Sequence, residues 1–351
     1  MAETGQGGGW RPVDWADVPG WREDDHAEAF RTFALSVAQL GLTPACQAAA
    51  MSVDPSDNGT ARAFFERWFR PFAHDQSVAA PAGLTTGYFE PHLQAAAERS
   101  AAFPIPIHAR PADLVPLIED RLRGANGDQL TYGRQTPSGV VPYATRAEID
   151  SGAIDDVLRP LFFLRNTIDR FFLQVQGSGL LRLDDGTSVR VGYDGKNGHP
   201  YTSIGAELIR DGEIGADAMT LDALRAWLSA DTSRGDALMA RNASYVFFKT
   251  LEGAAPEGAC DAPLTPLRSL AVDAREHALG LPVYLEVPEL AGPGGGPLRR
   301  LMIAQDVGSA ICGPERCDIY FGSGDAAGAA AGSVKHAARF FVLRPTQDGV
   351  D

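Results

Sequence analysis

The chain has 351 residues, enough for two domains of ordinary size, and its hydrophobic content of 44% argues against a disordered or fibrous protein. Its 45 acidic and 31 basic side chains leave a net charge of −14, which disfavours binding to nucleic acid or anionic lipid because both are negatively charged. The first residues contain no basic segment followed by an apolar run, and no apolar stretch of about 18 residues follows. The sequence therefore predicts neither a signal peptide nor a membrane span.

Two amphipathic helices are predicted in the first 70 residues. Apolar residues recur at helical spacing from Phe30 to Leu40, after the potential capping residues Asp24 and Asp25. A second helix is predicted for residues 61–69, where several aromatic residues share one face. Aromatic residues at helical spacing favour packing in the core over a platform for sugars.

Beyond Gly83 the chain changes to short β-like runs broken by Gly and Pro, which indicates an antiparallel or mixed β protein. The clearest hairpin joins residues 171–183 to residues 188–193 through an Asp-Gly turn. Later strands are predicted at 282–287, 300–305 and 339–343, with the Gly-rich segment 291–297 as a hairpin loop. Helices are predicted for residues 111–123 and 220–228, and a capping box at Thr145 and Glu148.

One Gly-rich segment carries many polar side chains between apolar runs. It consists of QVQGSG at 174–179 and GYDGKNGHPYTSIG at 192–205. Such a surface suits a polyhydroxylated ligand, because glycines permit close approach of the backbone and the side chains offer varied hydrogen bonds. A set of tight turns with solvated side chains is an equally good interpretation. The candidate ligand-binding residues here are Lys196, Asn197, His199, Tyr201 and Ser203.

Three carboxylates follow or interrupt apolar segments. Asp306 ends one apolar strand, Asp318 precedes the apolar IYFG, and Asp273 ends a third apolar run. Burial raises the pKa of a carboxyl group in general, as a general acid near neutral pH requires. A single carboxylate at a strand end is more often a turn cap, but three together favour a site.

Several familiar kinds of site do not fit the sequence. It contains no HExxH, GxSxG or Walker A motif, and its four cysteines lack the paired CxxC spacing of zinc sites. A cysteine nucleophile using Cys312 or Cys317 with His336 is conceivable, but the surroundings of neither cysteine support it. The same two cysteines flank a Gly-Pro turn and are compatible with a disulfide or with free thiols. No metal or organic cofactor is predicted.

Six segments occur in a characteristic order: FFLQVQGSG, GYDGKNGHPYTSIG, NASYVFFK, PLRSLAVD, RLMIAQDVGSAI and DIYFGSGDAAG. TGYFEP at 86–91 precedes them. Together they resemble the membrane-bound lytic murein transglycosylase A (MltA) family, from about residue 60 to the C-terminus. Each motif is weak alone, but their common order makes chance agreement improbable.

The resemblance implies a mainly β chain with N-terminal helices, in which a double-psi β-barrel domain carries an inserted, smaller β domain and a groove between them holds glycan. Residues 1–87 would form the helical part and the start of the barrel domain, 88–244 the inserted domain, and 245–351 the catalytic 3D-type part of the barrel. The partner would be the glycan strand of peptidoglycan. The expected compartment is the periplasm, although the leader and lipid-bearing Cys of lipoprotein members are not visible in this sequence.

The family's catalytic Asp corresponds to Asp318, and its companion acids to Asp306 and Asp273. Asp318 would protonate the bond between N-acetylmuramic acid and N-acetylglucosamine and then deprotonate the C6 hydroxyl, giving a 1,6-anhydro end without water. Asp306 would either orient Asp318 by a hydrogen bond or act on it as a like charge. The expected substrate-binding residues are Thr86, Tyr88, Gln176, Ser178, Lys196, Asn197, Tyr201 and Ser203.

Two alternatives remain open. A glycoside hydrolase on the same fold would use Asp306 as the base for water and leave reducing ends. A non-catalytic module would only bind peptidoglycan, and replacing Asp318 would then leave its behaviour unchanged.

Overall fold

The computed structural model describes residues 9–77, 81–117, 122–124, 127–253, 255–346 and 348. The chain divides into two compact units. Unit 1 comprises Met1–Phe89, Glu257–Gly322 and Ala326–Asp351, and unit 2 comprises Glu90–Pro256 and Ser323–Asp325. No helix in the described ranges is long and apolar enough to cross a bilayer.

The described part of the chain contains both helices and strands. The α-helices are α1 His26–Ala34, α2 Pro44–Ser52, α3 Asn58–Trp68, α4 Arg146–Asp150, α5 Thr167–Gln176, α6 Ile204–Arg210, α7 Leu221–Ala230, α8 Thr232–Ala240 and α9 Asp325–Gly332. The first strands are β1 Trp10–Pro12, β2 Phe69–His74, β3 Gly83–Glu90, β4 His92–Ala96, β5 Ile105–His108, β6 Leu114–Pro116, β7 Tyr132–Thr136, β8 Gly139–Pro142 and β9 Pro160–Leu164. The remaining strands are β10 Ser178–Leu183, β11 Ser188–Lys196, β12 Val246–Leu251, β13 Ser269–Val272, β14 Pro282–Ala291, β15 Pro297–Val307, β16 Arg316–Ser323 and β17 Lys335–Pro345.

Unit 1 is built around a closed barrel of six strands in the order β17-β14-β15-β13-β16-β3, with β3 pairing back onto β17. Closure removes the open sheet edges that would otherwise expose unpaired backbone groups. β13 and β15 run parallel, whereas β13 and β16 run antiparallel. The prediction of a mainly β chain with N-terminal helices and a β-barrel is confirmed.

The two predicted N-terminal helices pack onto the barrel. The side chain of Asp25 caps α1 by accepting a hydrogen bond from the backbone N–H of Glu28 (2.9 Å). Phe30 and Phe33 of α1 belong to the same hydrophobic cluster as barrel residues, and the ring of Phe30 lies edge-on to Phe64 of α3 at 5.2 Å. The aromatic face of α3 therefore packs in the core, as predicted.

Unit 2 contains a six-stranded sheet in the order β12-β11-β10-β4-β9-β5 and a three-stranded sheet in the order β6-β7-β8. The hairpin of β10 and β11 is present, and its turn is closed by Asp185, whose carboxylate accepts from the N–H of Thr187 (2.8 Å). The chain continues in unit 2 beyond Ser244, because β12 pairs with β11.

Two local predictions were wrong. Residues 171–176 are helical and belong to α5, because Asn166 caps the segment and Ile168, Phe171 and Phe172 share its buried face. Only the second half of the predicted strand, from Ser178, is extended. Residues 111–117 form no helix but contain β6, and residues 118–121 lie outside the described ranges.

Cys312 in the loop before β16 and Cys317 in β16 are free thiols. Cys317 is fully buried in the barrel core, whereas Cys312 is exposed. The structure therefore does not contain the small disulfide that the sequence left open.

Candidate active site

Asp306 of β15 and Asp318 of β16 lie on either side of one residue, Ala271 of β13. In the parallel ladder Ala271 is opposite Asp306, and in the antiparallel ladder it is opposite Asp318. Strands lie about 4.8 Å apart, so the two Asp Cα atoms are separated by roughly 10 Å. The barrel thus places the two acids at one level, with only a methyl group on the strand between them.

A β-bulge sets this register. Leu270 is opposite Ala304, but the next residue, Ala271, is opposite Asp306, so Gln305 is the extra residue of β15. The side chain of Gln305 is fully buried, and its Oε1 accepts a hydrogen bond from Ser269 (2.6 Å). The bulge therefore buries Gln305 and brings Asp306 level with Asp318.

Asp318 lies on the opposite face of β16 from the main hydrophobic cluster. Cys317 and Ile319 belong to that cluster, as do Leu270 and Val272 of the neighbouring strand. Successive side chains of a strand point to opposite faces, so Asp318 and Ala271 lie together on the other face. Strand alternation thus keeps a polar group on a barrel whose other face is apolar.

One oxygen of the Asp318 carboxylate is held by two donors. Arg316 Nη1 donates to Asp318 Oδ1 at 2.6 Å, and the hydroxyl of Thr86 on β3 donates to the same oxygen. Arg316 Nη2 also donates to Thr86 Oγ1 at 2.8 Å, so the three side chains form a closed group. Among the described residues, no hydrogen-bond donor reaches Asp318 Oδ2.

Asp306 has a raised pKa. Burial raises the pKa of Asp306 to about 6, and the charge of Asp318 adds to the rise. The backbone N–H groups of Val307 (2.9 Å) and Ala259 (3.1 Å), which donate to Asp306 Oδ1, and the nearby phenol of Tyr88 oppose it. No hydrogen bond joins the two carboxyl groups in the described chain, so the structure does not support the expectation that Asp306 orients Asp318 directly.

Asp306→Asn should change how stability depends on pH. A carboxyl group with a raised pKa stabilises the fold below its unfolded value near 4, and this stabilisation is lost as pH rises through about 6. The loss should be about 1–2 kcal/mol, since Asp306 keeps part of its surface in solvent. Urea unfolding at pH 4 and pH 7 should therefore show a larger decrease for the wild type than for the variant. Equal decreases would contradict a raised pKa at Asp306.

The contacts of Asp273 favour a structural role over the predicted catalytic one. Arg275 binds both of its oxygens, with Nε at 2.9 Å from Oδ1 and Nη2 at 2.7 Å from Oδ2, and Gly313 N–H donates to Oδ2 at 2.9 Å. These contacts, the hydrogen bonds from Arg275 first, hold the pKa of Asp273 far below its usual range. A group so firmly ionised is a poor proton donor. We therefore propose that Asp273 acts as a clamp between two loops of unit 1.

Asp273→Asn should accordingly leave catalytic turnover largely intact. We expect kcat to fall less than about tenfold and the shape of the pH–rate profile to persist, because no proton transfer passes through this carboxylate. Melting temperature should fall, since a charge-assisted contact between loops is lost. Assays across pH with a soluble glycan check this, and a collapse of kcat would restore Asp273 to the catalytic group.

Tyr88 on β3 packs beside the two acids. Its ring packs on Tyr320 with centroids 5.3 Å apart, and burial raises its pKa above its usual value, with Asp306 as the next cause. The residue is half-buried. The ring contact is compatible with the packing interpretation, and sugar stacking by Tyr88 stays a prediction.

The expected substrate-binding residues of unit 2 separate into two groups. Asn197 is fully buried; its amide donates to the carbonyls of Ala144 and Ala243 at 2.8 Å each, and its Oδ1 accepts from Tyr245 N–H at 2.9 Å. Ser203 caps α6 by accepting from Ala206 N–H (3.3 Å). We therefore correct the prediction for Asn197, which is structural, and Ser203 has at least a structural role. Partly exposed are Gln176, Ser178, Lys196 and Tyr201.

Sequence reasoning missed Arg316. The signal was available, because residues two apart on a strand share a face and Arg316 precedes Asp318 by two. In the described part of the chain, no cluster of three or more His, Cys, Asp or Glu side chains could hold a metal ion.

A model described as the MltA specific insert domain matches residues 84–249, and a 3D domain model matches residues 268–344. Membrane-bound lytic murein transglycosylase A of Vibrio cholerae is 34% identical over 273 residues, which are 75% of this chain and 67% of that protein. The protein of that name from Escherichia coli K12 is 36% identical over 264 residues, 74% of this chain and 65% of the relative. The chain thus spans about two thirds of the length of these curated relatives.

Solved structures agree with the sequence matches. The membrane-bound lytic murein transglycosylase from Agrobacterium tumefaciens has a TM-score of 0.85 at 32% identity, with 96% of this chain and 98% of that chain covered. MltA from Neisseria gonorrhoeae, in a monoclinic form, has a TM-score of 0.78 at 31% identity, with 96% and 93% covered. MltA of E. coli with bound chitohexaose has a TM-score of 0.70 at 29% identity, with 96% and 93% covered. The chain belongs to the membrane-bound lytic murein transglycosylase A family.

Proposed function

We propose that the protein is a lytic transglycosylase of peptidoglycan, which cleaves the β-1,4 bond between N-acetylmuramic acid and N-acetylglucosamine and leaves 1,6-anhydromuramoyl ends. The names of its curated relatives support this activity. The bound chitohexaose of the E. coli structure supports a glycan as the ligand.

In the proposed reaction Asp318 transfers the proton twice. Protonated on Oδ2, it donates to the glycosidic oxygen while the bond from that oxygen to C1 breaks and positive charge develops at C1. The resulting carboxylate then takes the proton of the C6 hydroxyl on the same muramic acid ring, and the C6 oxygen bonds to C1. One C–O bond is broken, one is formed, and Asp318 ends protonated as it began, so no water is consumed.

The observation that carries this proposal is the asymmetric environment of the Asp318 carboxyl. Oδ1 is held by Arg316 and Thr86, while no described donor occupies Oδ2. A carboxyl group fixed at one oxygen presents the other in a defined position, as proton transfer over hydrogen-bond distance requires. Because the nucleophile belongs to the substrate, its effective concentration is high and no second carboxylate is needed to activate water.

Digestion of purified peptidoglycan in H₂¹⁸O tests the proposal. Mass spectrometry of the released muropeptides should show anhydro ends without ¹⁸O. Reducing ends that carry ¹⁸O would show that water is the acceptor and would overturn it. Digestion with a hydrolytic muramidase in the same water is the matched control, because its products must carry the label.

A hydrolase is the second candidate, since Asp306 lies across Ala271 from Asp318. Inverting glycosidases separate two carboxyl groups by about 6.5–9.5 Å to admit water, and a Cα separation of roughly 10 Å is compatible with that. The ¹⁸O digest distinguishes the two reactions. Binding of peptidoglycan without any product release would instead favour the third candidate, a binding module.

The substrate also indicates the compartment. Peptidoglycan lies outside the cytoplasmic membrane, and the curated relatives are named membrane-bound, so we place the protein in the cell envelope and specifically in the periplasm. Fractionation of cells that express the natural gene tests this, and recovery in the cytoplasm would contradict it. Thr86, Gln176, Ser178, Lys196 and Tyr201 remain the predicted contacts to glycan.

A further inference from the structure

We propose that Arg316 is the positioning residue of Asp318: together with Thr86 it holds Oδ1 and leaves Oδ2 as the oxygen that exchanges the proton. This inference rests on the proposed role of Asp318 in proton transfer. It assigns a function to a side chain that acts through its neighbour.

The placement of Arg316 follows from the strands. Arg316 and Asp318 are two residues apart on β16 and share one face, and β3, which carries Thr86, is the next strand. Besides its contacts to Asp318 and Thr86, Arg316 Nη1 donates to the carbonyl oxygen of Cys317. Its side chain is only 17% exposed, so the guanidinium is held by three acceptors in a largely desolvated position.

A second arginine–aspartate pair with the same spacing provides a comparison for Arg316 and Asp318. Arg275 is also two residues from the aspartate it binds, yet it engages both oxygens of Asp273 and is 76% exposed. A fork on two oxygens blocks both positions that could carry a proton. Arg316 instead reaches a single oxygen of Asp318. The same residue pair thus occurs once as a clamp and once in a geometry that leaves an oxygen available.

The contact has consequences for both halves of the reaction. A guanidinium beside a carboxylate favours the charged form, which is the product of the first proton transfer and the base of the second.

The test compares kcat and KM of Arg316→Gln and Arg316→Lys on a soluble peptidoglycan fragment. Arg316→Gln should lower kcat by roughly 10²-fold with little change in KM, because the carboxyl is no longer held in place. Arg316→Lys keeps the charge but not the fork, so it should also lower kcat with little change in KM.

Arg275→Gln is the matched control, since it breaks another arginine–aspartate pair of unit 1 with the same spacing of two residues; its kcat should match the wild type. A merely structural role of Arg316 would lower the folded fraction and leave kcat per folded molecule unchanged. An unchanged kcat in folded Arg316→Gln therefore overturns the inference. Should that variant fail to fold, Thr86→Val removes the other donor to Oδ1 without changing charge: kcat should fall, and an unchanged kcat overturns the inference.

Failure of the proposed function would be visible separately. It would appear as ¹⁸O-labelled reducing ends from the wild type, whereas failure of the Arg316 inference would appear only in the kcat of the variants.

Discussion

Asp318→Asn should reduce kcat by roughly 10³–10⁴-fold while glycan binding is retained. The carboxamide has nearly the size and shape of the carboxyl group, but it can neither give up the proton that the leaving oxygen needs nor accept the proton of the C6 hydroxyl. Both proton transfers are therefore lost in one substitution. Release of anhydro muropeptides measures turnover, and titration calorimetry with a chitin oligosaccharide measures binding.

Asp273→Asn is the matched control, because it makes the same chemical change at another aspartate of unit 1. Its carboxylate is already occupied by Arg275 and Gly313. If both variants lose activity equally, the comparison does not single out Asp318 as the proton donor, and the account is contradicted. If Asp318→Asn retains more than about a tenth of wild-type kcat, Asp318 does not supply the proton.

Arg268→Ala should lower the free energy of unfolding by about 3–5 kcal/mol, because it leaves the buried carboxylate of Asp24 without its cation. Arg268 is fully buried; its Nη1 and Nη2 bind the two oxygens of Asp24 at 3.0 Å each, and its Nε binds Glu28 at 3.0 Å. The side chain of Asp24 is 4% exposed and also accepts Leu301 N–H at 2.6 Å. This network joins the N-terminal segment to the barrel, so its loss should weaken the packing of that segment on the barrel.

Urea unfolding measures the change, and Arg275→Ala is the control, since an arginine that is 76% exposed should contribute less than about 1 kcal/mol. The double variant of Arg268 and Asp24 should cost much less than the sum of the single changes, because the second removal leaves no unpaired charge. A cost below about 1 kcal/mol for Arg268→Ala would contradict the role of the N-terminal segment in the barrel unit.

The sequence predicted those parts of the fold that depend on local pattern. Helical spacing identified the aromatic face of α3, and Thr145 with Glu148 forms the predicted capping box. The segment 171–176 was assigned to a strand because a short apolar run fits either structure, and only the cap at Asn166 distinguishes them. The order of motifs indicated the family, which local patterns do not.

The candidate site was predictable in its residue types but not in its contacts. Asp306 and Asp318 were identified from their positions beside apolar strands, yet the bulge at Gln305 that brings them level leaves no sequence signal. From the sequence, Asp273 looked equivalent to Asp306 and Asp318. Its spacing of two residues from Arg275 does not reveal that the two side chains form an ion pair. Asn197 looked exposed because Gly and polar neighbours suggest a surface, whereas three backbone groups bind it in the interior.

The central claim is that Asp318 exchanges the proton with the glycosidic oxygen. A crystal structure of Asp318→Asn with an intact peptidoglycan fragment tests it most directly. The account predicts that the glycosidic oxygen lies within about 2.6–3.2 Å of the side-chain atom that replaces Oδ2, with the muramic acid C6 hydroxyl in reach of the same group. A scissile bond that lies nearest Asp306, with an ordered water between Asp306 and C1, would contradict it.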